Sequence, residues 1–192
     1  MNALGPVMLE GAHIRLEPLQ LEHAEGLWAA GQAPEIWRWL SVAPATLEEM
    51  RQYVSQAMAA AGQHPFAVVD KATGRVVGST RYLEIDEVNR TAEIGWTWYA
   101  RDVWATVVNP EAKFLLLRHA FETWGAMRVQ FKADAQNVRS CTAIRRLGAQ
   151  LEGTLRNHRI RRDGTVRDSA VFSITDMEWP TVRAGLLERI GG

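Results

Sequence analysis

The chain has 192 residues, a length typical of one compact domain, and hydrophobic and charged residues make up 47% and 23% of it. This composition excludes disorder over the chain as a whole. Its 22 basic residues balance 22 acidic ones, and the zero net charge excludes a strongly basic nucleic-acid coat or an acidic tail. We predict a single domain over residues 1–192.

Local composition argues against three further classes of protein. Met1–Glu10 lacks a basic segment and its apolar residues are interrupted, so no signal peptide is expected. No run reaches the roughly 18 apolar residues of a membrane-spanning helix. The single cysteine, Cys141, excludes an internal disulfide framework and a multi-cysteine zinc site. We expect a cytoplasmic protein with no membrane partner and no metal.

The first half of the chain predicts two helices. One is expected over His23–Ala30, ending at Gly31, with Leu27 and Trp28 facing inward. The other is expected over Leu47–Ala61, where Thr46 and Glu49 have the spacing of a capping box. Apolar runs separated by turn residues then predict an antiparallel meander of three strands. These strands are Phe66–Asp70, Val76–Tyr82 and Thr91–Tyr99.

The second half alternates helices and strands. Asn109 as N-cap and Pro110 as first helical residue predict a helix that ends before Gly125, and Arg128–Asp134 follows as a strand. Asn137 is expected to cap a further helix that ends at Leu147. The apolar face of that helix is predicted to be Val138, Cys141, Ile144 and Leu147. A final hairpin pairs Leu151–Arg162 with Thr165–Ile174 around Asp163–Gly164.

The starts of the two later helices favour anion binding, because the first turn of a helix has unpaired N–H groups at the positive end of its dipole. The local charge agrees, since Arg139–Arg167 contains eight arginines against two acids. Motifs for nucleotide hydrolysis, dinucleotide binding, zinc proteolysis and esterase chemistry are missing.

Four segments of the chain share a pattern with one family. They are Ala92–Gly95, Trp104–Lys113, Asn137–Ser140 with Leu147–Gly148, and Asp163–Gly164 with Arg167–Asp168. Together they resemble the GNAT superfamily of acyl-CoA-dependent N-acyltransferases, in particular the Rim-type branch of ribosomal-protein N-terminal acetyltransferases. The resemblance covers Leu9–Trp179. It implies an α/β fold with one mixed, strongly twisted, mostly antiparallel sheet of about seven strands and about four helices. It also implies acetyl-CoA as cosubstrate, an amine acceptor and a possible homodimer.

The resemblance implies a coenzyme A site at the turn into the helix after the fourth strand. In the family, backbone N–H groups of a glycine-containing turn hold the pyrophosphate; here Val107 and Asn109 replace the glycines. A backbone N–H near Trp98 or Tyr99, unpaired where two strands separate, would polarise the thioester carbonyl. The residues expected to contact the cofactor are Trp98, Tyr99, Thr106, Val107, Val108, Asn109, Lys113, Asn137, Ser140 and Arg145.

Two catalytic residues are expected, one from the resemblance and one from the strand pattern. Many family members carry a tyrosine acid at the position of Ile144, which is not a tyrosine here. In the Rim-type branch a serine three residues after the Asn is the proton donor for the thiolate, so the resemblance implies this role for Ser140. A competing interpretation is that Ser140 only shares the capping of the helix with Asn137. Glu93, on a strand with apolar neighbours, is expected to act as base through water, with a pKa raised by partial burial. A competing interpretation pairs Glu93 with a cross-strand arginine such as Arg81.

The acceptor is less well specified. Trp28, Trp37 and Trp39 are expected to form an aromatic acceptor wall, although most tryptophans belong to cores. His158 is expected to line the acceptor cleft or to serve as an alternative base, although a structural role also suits it. The helical spacing of Cys141 favours a core residue over a nucleophile.

We predict N-acetylation of a primary amine and no nucleic-acid partner. A protein α-amine titrates near 7.7–8 and needs less help than a lysine amine to lose its proton. The acceptor could instead be a small amine such as an antibiotic or a polyamine, and five early glutamates would suit a cationic one. They are Glu22, Glu25, Glu35, Glu48 and Glu49. Two competing functions are a non-catalytic acyl-CoA-binding module and an arginine-based nucleic-acid binder.

Overall fold

The computed structural model describes residues 4–191, and its strands form one mixed sheet. Residues 1–3 and 192 lie outside the described residues. They include the ends of the predicted domain and the first three residues of Met1–Glu10. The strands are β1 (Leu9–Glu10), β2 (Ile14–Pro18), β3 (His64–Asp70), β4 (Val76–Asp86), β5 (Thr91–Tyr99), β6 (Arg128–Asp134), β7 (Gln150–Ile160) and β8 (Val166–Thr175). Their order across the sheet is β1-β2-β3-β4-β5-β6-β8-β7. Among these described strands, only β5 and β6 pair in parallel.

Helices cover both faces of the sheet. They are α1 (Ala24–Ala30), α2 (Leu47–Ala59), α3 (Val108–Arg118), α4 (Val138–Arg146) and α5 (Trp179–Gly191). One hydrophobic core joins α1 and α2 to one face, and a larger core joins α3, α4 and α5 to the other. No helix of residues 4–191 is long and apolar enough to cross a bilayer.

The predicted α/β class and mixed sheet are confirmed; residues 4–191 form eight strands and five helices, against about seven and about four predicted. The two-residue β1 is too short to leave a periodic signal in the sequence. Helix α5 does carry one, since Trp179, Val182 and Leu186 are buried at helical spacing. The meander strands were predicted closely, although β3 begins at His64 and β4 continues to Asp86.

The strands β5 and β6 pair only between Thr91–Glu93 and Arg128–Gln130. Both continue beyond this segment, to Tyr99 and Asp134, without further pairing to each other. Where β5 pairs with β4, the register shifts between Ser79 and Arg81, and Trp96 has a positive φ of 51°. Such a bulge bends its strand. The two strands therefore separate and leave a V-shaped opening in the middle of the sheet.

The predicted start of α3 was wrong. Val107, not Asn109, is the N-cap residue, and it makes no side-chain capping bond. Thr106 instead accepts a hydrogen bond from the backbone N–H of Val108 at 3.3 Å. Pro110 is tolerated further into the helix than predicted because the first four N–H groups of a helix have no intrahelical partner to lose.

The predicted cap of α4 is confirmed, since Asn137 Oδ1 accepts a hydrogen bond from Ser140 N at 3.1 Å. Its predicted apolar face is only partly correct. Cys141, Ile144 and Leu147 are buried, whereas Val138 is 71% exposed. Val138 is the first helical residue, at the solvent-facing start of the helix.

Helix α2 begins at the predicted N-cap, where Thr46 Oγ1 accepts a hydrogen bond from Glu49 N at 3.1 Å. The carboxylate of Glu49, however, accepts from Ala45 N at 2.6 Å rather than from the N-cap residue. The side chain of Glu49 therefore bonds to the residue before the N-cap, and the predicted capping box forms only in part. The helix ends at Ala59, two residues before the predicted end at Ala61.

A buried carboxylate in the first turn of α3 anchors the β1–β2 turn. Glu111 is 2% exposed, and its oxygens accept hydrogen bonds from the backbone N–H groups of Ala12 at 2.6 Å and Ile14 at 2.9 Å. His13 N donates to the same carboxylate. Because a buried carboxylate is stable only when its oxygens are satisfied, these bonds fix the N-terminal hairpin against the start of α3.

Candidate active site

The V between β5 and β6 opens into a cavity of about 790 Å³. Its walls are the first turns of α3 and α4, the β7–β8 hairpin and the segment that follows α1. It brings together nine of the residues singled out from the sequence. They are Trp39, Glu93, Trp98, Tyr99, Thr106, Asn109, Lys113, Asn137 and Ser140.

The predicted aromatic acceptor wall is reduced to Trp39. Trp37 is buried, its Nε1 donates to the carbonyl oxygen of Gly31 at 2.7 Å, and its ring lies 4.7 Å from that of Trp98. Trp28 is half-buried on α1 and does not line the cavity. Both belong to the core between α1, α2 and the sheet, since large aromatic side chains are needed to fill it.

Two further predicted contacts lie elsewhere. His158 borders a shallow depression on β7 and does not itself line the cavity, with its Nδ1 3.0 Å from Ser169 Oγ. Arg145 holds its guanidinium 5.2 Å from the ring centre of Phe172 and does not line the cavity either. Helical periodicity explains the second case, because Arg145 lies on a different face of α4 from Ser140.

Val107 and Val108 also do not contribute side chains to the cavity wall. The expectation for them concerned their backbone N–H groups, which lie at the start of α3 beside the cavity residues Thr106 and Asn109.

Glu93 is the buried acid of the cavity, 6% exposed. Its Oε2 lies 2.8 Å from Lys132 Nζ and accepts a hydrogen bond from Gln130 Nε2 at 3.3 Å. Burial raises the pKa of Glu93, and the ammonium of Lys132 offsets only part of this rise. A Cβ on Gly95 would lie 3.1 Å from Glu93 Oε1, so a glycine there leaves room for the carboxylate.

The partner of Glu93 is Lys132, not Arg81 as the competing interpretation held. Lys132 also pairs with Glu84 at 2.6 Å, which places one ammonium between two carboxylates. Arg81 is buried and holds its guanidinium 4.6 Å from the ring centre of Trp96. Sequence reasoning missed Lys132 because β5 and β6 are joined by a long crossover, so their register cannot be read from a turn.

Lys113 extends into the V rather than toward the helix start. It is 5% exposed, and its Nζ donates to Thr97 Oγ1 at 2.7 Å and lies 5.9 Å from the ring centre of Phe131. No carboxylate of residues 4–191 forms an ion pair with it. Burial lowers the pKa of Lys113 to about 7. The amine is therefore available in both protonation states near neutral pH.

The helix side of the cavity is cationic. Trp104 lies between two guanidinium groups, with Arg139 at 3.5 Å and Arg101 at 4.6 Å from its ring centre. Arg146 and Arg189 line the same side. Stacking of this kind fixes the position of a guanidinium while its N–H donors stay available.

The hairpin side is closed by two contacts. Arg161 pairs with Asp134 at the end of β6, at 2.6 and 3.0 Å. Arg162 donates to the carbonyl oxygen of Trp37 at 3.3 Å, which connects the hairpin to the segment after α1. These contacts hold the hairpin against the end of β6 and against the segment after α1, at the edge of the cavity. Within residues 4–191, no three His, Cys, Asp or Glu side chains are grouped closely enough to hold a metal ion.

Comparison with known proteins identifies the class. Residues 13–150 match the acetyltransferase (GNAT) domain family, and the chain belongs to this family. It is an acyltransferase, an enzyme with the GNAT fold.

Three relatives illustrate the similarity. A provisionally assigned acetyltransferase from T. thermophilus is 39% identical, with a TM-score of 0.90 over 99% of this chain and 100% of that one. A GCN5-related N-acetyltransferase from Brucella melitensis is 31% identical, with a TM-score of 0.91 over 95% and 85%. The uncharacterized N-acetyltransferase p20 of Bacillus licheniformis is 26% identical over 86% of this chain and 94% of its own.

Proposed function

We propose that the enzyme transfers an acetyl group from acetyl-CoA directly to a primary amine in the cavity between β5 and β6. The observation that carries this proposal is the arrangement of one buried acid, Glu93, and one hydroxyl, Ser140, in the same cavity, next to a cationic wall. Direct transfer needs a group to take a proton from the amine and a group to give one to the leaving thiolate.

Acetyl-CoA is the cosubstrate, and it supplies the activated acetyl group as a thioester. The starts of α3 and α4 offer unpaired N–H groups, and Arg101 and Arg139 offer charged donors, all suited to its phosphates. Asn137 and the backbone near Trp98 and Tyr99 line the path from these phosphate groups into the V.

Glu93 acts as the base. An ammonium cannot attack a thioester, so the acceptor must lose a proton before its nitrogen bonds to the carbonyl carbon. A carboxylate whose pKa is raised by burial accepts that proton, through a water, more readily than an exposed one. Lys132 keeps Glu93 oriented and ionised at neutral pH.

Ser140 acts as the acid. When the C–S bond of the thioester breaks, the electron pair stays on sulfur, and Ser140 Oγ gives its proton to the thiolate. The nitrogen loses its second proton as the amide forms, and this proton returns through water to Ser140 Oγ. The capping bond to Asn137 Oδ1 is made by the backbone N–H of Ser140 and does not involve its hydroxyl. Ile144 leaves no phenol at the position where many family members have one. Backbone donors near Tyr99 stabilise the negative charge that develops on the carbonyl oxygen.

The placement of this enzyme in the Rim-type branch, and a protein α-amine as acceptor, belong to the same proposal. They are supported by Ser140 and Asn137 at the branch's positions. A cationic small amine has less support, because none of the five early glutamates lines the cavity.

Two measurements test the proposal. Acetyl-CoA and coenzyme A at a hundredfold excess over Kd should raise Tm by roughly 5–11 °C, and ATP should not. An amine panel followed by thiol release should then give turnover. Binding without turnover on any amine would favour an acyl-CoA-binding module, and no thermal shift would overturn the proposal altogether.

A further inference from the structure

The cavity holds far more positive charge than its own residues neutralise. Nine arginines and two lysines line it, against the carboxylates of Glu93 and Asp134. Both carboxylates are already paired, with Lys132 and Arg161. A cavity with this excess attracts anions and disfavours cationic ligands.

The phosphates of bound coenzyme A would neutralise only part of this positive charge. These phosphates lie at the end of the molecule far from the thioester, and the cations suited to them are those near the helix starts. The acetyl end brings no negative charge to the reacting centre. Arg159 and Arg167 of the β7–β8 hairpin also line the cavity, and each lies close enough to Glu93 for their charges to interact. The acceptor must sit near Glu93 for its amine to reach the base.

Two of these hairpin arginines face each other. Arg159 on β7 and Arg167 on β8 are directly opposite in the strand register, so their side chains project from the same face of the sheet, and both line the cavity. Like charges in such a pair destabilise a sheet. Neither arginine takes part in an ion pair among residues 4–191. Within the same part of the chain, Arg167 bonds to one side chain alone, donating to Ser169 Oγ at 2.9 Å.

The surroundings relieve the charge of the pair only in part. Arg167 is half-buried, and burial lowers its pKa; Asp134 and Glu93 oppose this effect, whereas Arg159 and Arg161 lower the pKa further. An arrangement that costs folding stability in the free enzyme is relieved when an anion binds between the guanidinium groups.

We propose that the acceptor amine carries an anionic group, a carboxylate or a phosphate, which Arg159 and Arg167 hold while its amine faces Glu93. This inference rests on the proposed acetyl transfer and specifies its substrate class. The guanidinium fork suits either anion, since each offers oxygens at the spacing of two N–H donors. The same charges disfavour a polyamine.

The test uses acceptor pairs that differ only in the anionic group. They are glycine with glycinamide, O-phosphoethanolamine with ethanolamine, and tripeptides that begin with Asp or with Asn. The first two pairs distinguish carboxylate from phosphate, and the third distinguishes a free amine from a peptide N-terminus. Each is assayed for kcat/KM and, separately, for binding by calorimetry in the presence of coenzyme A.

The matched variants are R159Q, R167Q and R156Q. Arg156 is an exposed arginine of the same strand as Arg159 that does not line the cavity. We expect the anionic member of at least one pair to be preferred by about tenfold to a hundredfold, and R159Q or R167Q to abolish that preference while R156Q keeps it. R159Q should also raise Tm of the free enzyme, because it removes the like-charge contact.

The outcomes separate the two proposals. Turnover that is equal for charged and neutral acceptors would overturn the anionic class and leave acetyl transfer standing. Arginine-dependent binding of an anionic amine without turnover would support the anion site and overturn acetyl transfer. Neither binding nor turnover with any pair would overturn both.

Discussion

Lys113 Nζ and Thr97 Oγ1 are hydrogen-bonded at 2.7 Å at the floor of the V, in a position where the lysine is 5% exposed and has no carboxylate partner in the described chain. A buried ammonium without a counter-ion is costly, and this cost is what lowers the pKa of Lys113 to about 7.

K113M should therefore stabilise the protein, and the gain should depend on pH. In the unfolded chain a lysine titrates near 10.4, so between about pH 7 and 10 the unfolded state binds more protons and unfolding becomes less favourable as pH rises. Below pH 7 Lys113 is charged in both states, and the full free-energy cost of burying its ammonium lowers the stability of the folded protein. The gain from K113M should be on the order of a few kcal/mol at pH 6 and should shrink toward pH 10.

Thermal melts of both proteins from pH 6 to 10 measure this. A gain that does not change with pH would mean that the pKa of Lys113 is the same in the folded and the unfolded chain, so that burial does not lower it. Because the amine lies in the cavity, we also expect K113M to lose activity as it gains stability.

The rate should depend on the ionisation of Glu93. Only its carboxylate form accepts a proton, and its pKa is raised, so kcat should fall with decreasing pH at values above the ordinary carboxyl range of about 4.3. E93Q should lose roughly 10²–10⁴ in kcat and should abolish this acidic limb.

The control is E84Q. Glu84 shares Lys132 with Glu93 but does not line the cavity, so E84Q keeps the 2.8 Å pair of Glu93 and Lys132. Equal losses in both variants would show that the effect comes from the charge balance around Lys132 and not from a base at Glu93.

Measurements of both Tm and kcat distinguish the role of Ser140 from that of Asn137. In S140A the backbone N–H still donates to Asn137 Oδ1, so Tm and the acetyl-CoA shift should be unchanged while kcat falls about 10²-fold or more. N137A removes the cap and should lower Tm by roughly 2–4 °C, for a loss of about 1 kcal/mol. A fall in Tm for S140A, with kcat preserved, would show that its hydroxyl is structural.

Glu111 should matter for stability more than for binding. E111Q places an amide donor among the backbone N–H groups of Ala12, His13 and Ile14, so at least one buried donor loses its acceptor. We expect a loss of about 3 kcal/mol, or roughly 6–12 °C in Tm. E122Q, at a half-exposed acid after α3, is a suitable comparison and should change Tm less.

Because α3 starts at Val108, substitution of Asn109 should have little effect on stability. Because Asn109 is not the cap, N109A should leave Tm within about 1 °C of the parent, whereas a true N-cap would lose roughly 1 kcal/mol. T106V removes the hydroxyl that receives the Val108 N–H and should cost more than N109A. The reverse order would restore Asn109 to the capping role.

Local features of the fold could be predicted from the sequence. The caps at Thr46 and Asn137 are confirmed because a capping bond spans only three residues and depends on one side chain. The strand Arg128–Asp134 is predicted with its observed ends because its alternation is regular. The cap at Asn109 was wrong because an Asn-Pro pair also fits the interior of a first turn.

The candidate site was predictable only in part, because its geometry is set by residues far apart in sequence. Glu93 was found from its apolar strand, but its partner Lys132 is 39 positions later on a parallel neighbour. The burial of Lys113 depends on where α3 lies against β5, which no local pattern gives. Trp37 was misplaced because a core tryptophan and a ligand-facing one look alike in sequence.

The short pairing of β5 with β6, three residues long, has a mechanical consequence. This pairing is what joins the two halves of the sheet, and so few hydrogen bonds resist sliding of one half past the other only weakly. A molecule bound in the V would contact both halves and hold them together. Amide hydrogens along β5 and β6 should then exchange more slowly in the ligand-bound enzyme, even at positions that no ligand atom reaches.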